Sequence, residues 1–177
     1  MKAFFAIFFS FWAIFLTIFC TNCFYGTFFP IKYQEEIDVC CKKYDVDPAV
    51  VFSLINIESH FNKNAISSKG AVGLMQVMPT TAKGISNAVG KQEFDLFDAQ
   101  DNIEFGVCYF AQLQDRFGDL HLALCAYNAG PTNVSNWLKN EKYSTDGKTL
   151  SNIPFSETEN YLKKFERNFR YYSTKIK

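Results

Sequence analysis

Apolar and polar positions fall into helical periods along almost the whole chain. From Ala3 to Phe19 the residues are apolar except Ser10 and Thr17, and no charge appears between Lys2 and Lys32. That length matches the roughly 20 helical residues needed to cross the hydrocarbon core of a bilayer. Beyond it, Tyr33, Ile37, Cys40, Cys41 and Tyr44 recur at the spacing of one helix face and predict a first helix ending before Asp45. Asp47 is a good N-cap and Pro48 suits the first helical position, so a second helix is expected from Pro48 to about Asn62, with Val51, Leu54, Ile55 and Phe61 as its apolar stripe. Helix returns after Pro79 until about Gly90. Asp101 or Asn102 is expected to cap a long helix with Ile103, Val107, Phe110, Leu113 and Phe117 on its core face, stopped by Gly118. Asp119 starts a short helix through Ala126, and Pro131 opens another carrying Val134, Trp137 and Leu138. Ser156 and Glu159 are placed for a capping box, and Tyr161, Leu162, Phe165, Phe169 and Tyr172 stripe the last helix.

Between these stretches, Asn64 to Gly73 is a loop rich in Ser, Gly and Asn, and Asn140 to Asn152 reads as a polar surface loop or small hairpin. No convincing alternating strand exceeds four residues, and there are no repeats or low-complexity linkers. The expectation is a mainly α-helical domain with at most a vestigial sheet. The 177 residues suffice for one core and are too few for two of usual size. A net charge of zero gives no reason to expect nucleic acid as a partner.

Two readings of the N-terminus compete. A cleaved signal peptide has a shorter apolar region and a small-residue cleavage site. Here the tail runs Cys20-Thr21-Asn22-Cys23-Phe24-Tyr25-Gly26, a poor site, and neither Phe19 before Cys20 nor Asn22 before Cys23 suits lipid modification. Residues 1–31 are therefore read as an uncleaved signal anchor, a transmembrane helix with Lys2 on the cytoplasmic side, and residues 32–177 as an extracytoplasmic domain. Secretion after cleavage is the alternative. Cys40, Cys41, Cys108 and Cys125 fall in expected helices without the spacing of a zinc site, so no metal and no cofactor are expected. They read as small buried side chains, with a disulfide as the alternative.

Candidate chemistry gathers on the second helix. Glu58 lies seven, four and three residues after Val51, Leu54 and Ile55, in the middle of the face that ought to be buried. A buried, unpaired Glu is costly when charged, so its pKa should rise toward neutrality, as a general acid working near neutral pH requires. The bland alternative is a Glu at the stripe's edge, reaching water or a lysine.

The run E-S-x-F-N-x-x-A-x-S-x-x-G-A-x-G-L-M-Q-x-M-P-x-T-A, from Glu58 to Ala82, resembles the catalytic signature of soluble-lytic-transglycosylase (SLT) domains, which have the lysozyme-like fold. The resemblance continues through Asn102-Ile103, through Ala126-Tyr127-Asn128-Ala129-Gly130-Pro131, and through Ile153-Pro154-Phe155-Ser156-Glu157-Thr158 followed by Tyr161. It spans about Tyr33 to Tyr172, with Lys63 standing where the family often has Pro. It implies a helical domain of SLT or goose-lysozyme type with a groove for peptidoglycan glycan strands, cut between N-acetylmuramic acid and N-acetylglucosamine. The muramic acid's own 6-hydroxyl would attack, closing a 1,6-anhydro ring, with Glu58 alone as acid and then base. Ser67 aligns with a serine placed near the acetamido group, although Ser67 or its neighbour Ser68 could instead simply cap the turn. Gln76 and Met78 match groove positions, and Gly73 would let the backbone approach the sugar or the catalytic helix. Tyr127 would contact the acetamido group or Glu58, while Asn128 binds substrate or caps its helix. Glu157 lies across the groove or favours a helix dipole, and Tyr161 touches substrate or closes the core. A monomer is expected. The alternatives are a peptidoglycan or chitin hydrolase of goose-lysozyme type and a catalytically silent wall-binding module.

Overall fold

The computed structural model describes Thr17 and residues 26–176. The chain divides into Met1–Lys32 and Tyr33–Lys177. The expected membrane helix lies almost wholly outside the described residues; among those, no helix is long and apolar enough to cross a membrane.

The second unit is built from seven helices: α1 (Gln34–Tyr44), α2 (Pro48–Glu58), α3 (Pro79–Val89), α4 (Ala99–Phe117), α5 (Leu120–Ala129), α6 (Pro131–Leu138) and α7 (Ser156–Lys175). Between α2 and α3, two isolated antiparallel bridges, Ile66 with Val72 and Val72 with Val77, are the vestige of a sheet. The fold is thus mainly helical, as the periodicity implies.

At the centre stands α2. Asp47 caps it by accepting a hydrogen bond from the Ala49 amide, and Pro48 opens it. The sequence suggests one apolar stripe, but every residue from Ala49 to Asn56 is buried. A helix apolar all round belongs inside a core, and α2 packs against both α1 and α7. Helix α7 contributes Tyr161, Leu162, Phe165 and Tyr172 to that core, with Tyr172 stacked at a tilt on Phe52. Phe117 and Phe169, expected on core faces, are only half-buried.

Helix α2 also stops at Glu58, four residues before its expected end at about Asn62. The chain turns out of the helix at His60 and Phe61, both at positive φ, and Phe61 reaches the core from the loop. Ser59 ties this end down, its hydroxyl donating to the Leu74 carbonyl at 2.7 Å. Two caps also differ from expectation. Helix α4 is capped by Asp98, which accepts from the Asp101 amide, so Asp101 and Asn102 lie inside it. The Ser156–Glu159 capping box does not form: Phe155 occupies the cap and no side chain caps α7. The four cysteines of this unit are buried and free.

Candidate active site

The early end of α2 decides where Glu58 points. As the last helical residue it sits at the negative pole of the helix dipole, which disfavours a carboxylate. Burial raises its pKa from an ordinary 4.5 to about 7; a hydrogen bond from Tyr161 opposes the rise, the charge of Glu157 adds to it and Lys164 counters it. The Tyr161 hydroxyl donates to Glu58 Oε1 at 2.6 Å. Burial, and then the Glu58 charge, hold the Tyr161 phenol well above its usual range, so it remains a proton-bearing donor. Tyr161 comes from the second turn of α7, across the α2–α7 contact that makes the core.

The loop from Ala65 to Met78 is tied to the end of α2 through the Ser59–Leu74 hydrogen bond. Gln76 adopts φ 50°, and its side-chain amide donates to the Ala65 carbonyl at 3.2 Å and the Gly73 carbonyl at 2.9 Å. Gln76 therefore braces the loop it belongs to. Met78 caps α3 and leaves its side chain at the surface. The Ser67 hydroxyl accepts from the Ala71 amide at 2.9 Å, closing the loop's outer turn as the turn-capping alternative supposed.

Tyr127 on α5 donates its hydroxyl to the Met75 carbonyl at 2.8 Å, while the hydroxyl that donates to Glu58 is that of Tyr161. Burial raises the Tyr127 pKa well above normal, followed by the charge of Glu58, so the two groups are electrostatic neighbours. Asn128 is not a helix cap: α5 runs on to Ala129 with Gly130 as its cap. Its carboxamide oxygen accepts the Thr158 hydroxyl at 2.7 Å and pins α5 to the first turn of α7. Glu157, one residue earlier on α7, is exposed.

Gln76, Met78, Tyr127 and Asn128 line one cleft of about 370 Å³, shared with Tyr109 and Lys69. Ser67 and Glu157 do not form its wall. Among the described residues no cluster of His, Cys, Asp or Glu is arranged to hold a metal ion.

The pattern of residues did not reveal what holds the loop in place. Asn102, read only as a helix opener, is buried in the first turn of α4. Its side-chain oxygen accepts from the Met75 amide at 2.8 Å, and its nitrogen donates to the Val72 and Leu96 carbonyls at 2.9 and 2.8 Å. A side chain at Gly73 would run into Asn102 and the Leu96 carbonyl, so this glycine makes room for the start of α4. Gly106, one turn further along α4, makes the same allowance for the Met75 side chain. The available signal was two glycines and an Asn inside otherwise apolar surroundings.

The model of the transglycosylase SLT domain matches residues 36–150, well over half of the chain. The chain belongs to that family. Within it, the SLT domain is 38% identical over 125 residues to a transglycosylase of Enterobacteria phage PRD1, covering 70% of this chain and 43% of the relative. It is 31% identical over 153 residues to the soluble lytic murein transglycosylase of Escherichia coli K12, covering 81% and 24%. It is 29% identical to membrane-bound lytic murein transglycosylase C of Actinobacillus pleuropneumoniae, covering 77% and 44%. Among solved structures, an inactive mutant of the lytic transglycosylase Slt from Pseudomonas aeruginosa superposes with a TM-score of 0.76 at 30% identity, covering 86% of this chain and 25% of that one. A 70-kDa soluble lytic transglycosylase in complex with bulgecin A gives 0.74 at 28% identity, covering 84% and 25%. The chain thus spans less than half the length of these relatives. The SLT domain is the part they share.

Proposed function

We propose that the chain is a lytic transglycosylase acting on peptidoglycan, with Glu58 as its single acid and base. The observation that carries this reading is a carboxyl raised to about 7, held by the Tyr161 hydroxyl at 2.6 Å and electrostatically coupled to Tyr127 of the cleft wall. Such a group keeps its proton near neutral pH and can give it up. In the first step Glu58 protonates the oxygen that links C1 of N-acetylmuramic acid to O4 of N-acetylglucosamine, and the C1–O4 bond breaks. The muramic acid's acetamido oxygen supports the positive charge at C1. In the second, the Glu58 carboxylate takes the proton of the muramyl 6-hydroxyl as that oxygen bonds to C1. The ring closes to 1,6-anhydromuramic acid, Glu58 regains its proton and no water is consumed. An internal nucleophile has a high effective concentration, so a second carboxylate is not needed to position it.

Tyr161 steadies the carboxylate between the two steps. Gln76, Met78, Tyr127 and Asn128 form the sugar-binding wall, Ser67 keeps the loop's outer turn near the acetamido group, and Glu157 stands across the groove. Supporting the reading, curated relatives are named murein transglycosylases, and one solved relative is an inactive mutant with glutamate replaced by glutamine. A hydrolase in which Glu157 activates water is the second reading, because Glu157 is the carboxylate whose charge acts on Glu58. We further read residues 1–31 as a membrane anchor carrying a monomeric catalytic domain, residues 32–177, outside the cytoplasm. The uncharged run, the poor cleavage site and a relative named membrane-bound support this.

Mass analysis of muropeptides released from purified peptidoglycan tests the mechanism. The expected fragments end in 1,6-anhydromuramic acid and are lighter by one water than hydrolysis products. Glu58→Gln should abolish the release, and a variant within about tenfold of wild-type turnover would remove Glu58 from its role. Free reducing ends would overturn the transglycosylase reading in favour of the hydrolase.

A further inference from the structure

The cleft wall is uncharged except at one place. Lys69 lines it, and its neighbours there are Gln76, Met78, Tyr109, Tyr127 and Asn128 together with Thr81 and small apolar residues. Its backbone is fixed: the Ser67 amide donates to the Ala71 carbonyl at 2.9 Å, the Gly70 amide to the Ser67 carbonyl at 3.0 Å, and the Ser67 hydroxyl receives the Ala71 amide. Gly70, at φ 85°, closes this turn. Lys43, Lys91 and Lys163 all hold carboxylates, whereas Lys69 forms no ion pair among the described residues. A cation is thus presented at the mouth of a neutral cleft by a short, hydrogen-bonded turn.

The glycan backbone of peptidoglycan offers this cation nothing, since its N-acetylated sugars are neutral. The anions belong to the lactyl group of each muramic acid. That group is either a free carboxylate or the attachment point of a stem peptide bearing carboxylates of its own. We propose that Lys69 and the adjoining cleft wall form a subsite for a carboxylate carried on the muramyl lactyl side chain. The subsite distinguishes muramyl glycans from neutral N-acetylglucosamine polymers, and it rests on the peptidoglycan reading above. Tyr109, packed on Tyr127 at 5.7 Å, forms the apolar wall against which the sugar lies.

The test compares wild type, Lys69→Gln, Lys69→Glu and Lys69→Arg on three probes: glycan strands with stem peptides, strands stripped by an amidase so that the lactyl carboxylate is free, and a neutral N-acetylglucosamine oligomer. Lys69→Gln should raise KM about threefold on a carboxylate-bearing strand while kcat stays within about twofold, the scale of one exposed ion pair. Lys69→Glu should raise KM about tenfold, and Lys69→Arg should restore it. Added salt should shrink the difference, since charges are screened beyond about 10 Å at 0.1 M. Binding of the neutral oligomer should be the same for all four proteins. A KM increase on peptide-bearing strands alone assigns the contact to the stem peptide, and one on stripped strands to the lactyl carboxylate; either supports the subsite. Unchanged KM on both, or an equal loss of affinity for the neutral oligomer, would overturn it. If wild type releases no product from either strand, the peptidoglycan reading fails and the subsite falls with it.

Discussion

In the proposed mechanism Glu58 and Tyr161 set the pH behaviour of the site. With the Glu58 pKa near 7, the proton needed to start the reaction is lost as pH rises, so activity should fall through about pH 7. The Tyr161 hydroxyl favours the charged form, so its removal moves the pKa upward. Tyr161→Phe should therefore shift the alkaline limb of the pH–rate profile to higher pH while lowering the maximum; a limb that stays put or moves down would contradict the arrangement. Stability moves in the same direction. Unfolded, the group titrates near 4.5, so above pH 7 the folded state holds a buried charge that the unfolded chain hydrates. As pH falls from 7 to 4.5 the folded state takes up the proton first, and the wild type gains stability. Glu58→Gln carries no such penalty. It should be more stable than wild type above pH 7, by on the order of 1–3 kcal/mol, with the gap closing by about pH 4.5 in denaturant titrations.

At the scale of elements, the groove loop is held by α4 rather than by its own sequence. Asn102 satisfies one amide and two carbonyls from Met75, Val72 and Leu96, and Met75 in turn receives the Tyr127 hydroxyl. Asn102→Ala leaves the Met75 amide and the Leu96 carbonyl without this partner, while the Val72 carbonyl keeps the Val77 amide, and each buried unsatisfied group costs about 1–3 kcal/mol. We expect a loss of about 2–4 kcal/mol by thermal or chemical denaturation, with a raised KM for glycan because Gln76 and Met78 lose their brace. The alkaline limb of the pH profile should not move, since the Glu58–Tyr161 contact joins α2 to α7. Gly73→Ala should imitate the loss, both through its φ of 78° and through the collision with Asn102. Wild-type stability in either variant would show that α4 does not support the loop. A second brace lies on the far side of α4, where Glu104 binds Lys43 of α1 at 2.7 Å and Lys91 at 2.8 Å. Burial would raise its pKa, but the two ammonium groups hold it below the usual range.

At the scale of the whole molecule, the proposed anchor governs where the domain can act. An anchor of residues 1–31 would hold an extracytoplasmic domain close to the membrane, so it would reach only nearby strands. The expected outcome is a chain from native membranes that starts at its encoded N-terminus and leaves the membrane only with detergent. Amino-terminal sequencing with intact mass decides this. A soluble mature form beginning near Gly26 or Thr27 would replace the anchor with a cleaved signal peptide.

What the sequence determined by itself was local or carried by a motif. Helical periods depend on which residues alternate along the chain, so seven helices and their approximate limits were legible, as were Asp47 and Pro48 at the head of α2. The run from Glu58 to Ala82 carried the resemblance to the family and, through it, the proposal of Glu58 as the acid, because a motif is written in consecutive residues. Partnerships across the fold were decided only by tertiary structure. Phe61 continues the pattern of α2, yet the helix stops at Glu58, where Ser59 reaches Leu74 and His60 turns the chain. Nothing near Tyr127 and Tyr161 in the chain says which of them meets Glu58, since 103 residues separate Glu58 from Tyr161 and packing of α2 on α7 brings them together. The Asn102 brace was invisible for the same reason: a carboxamide that satisfies three backbone groups looks, in one dimension, like the start of a helix.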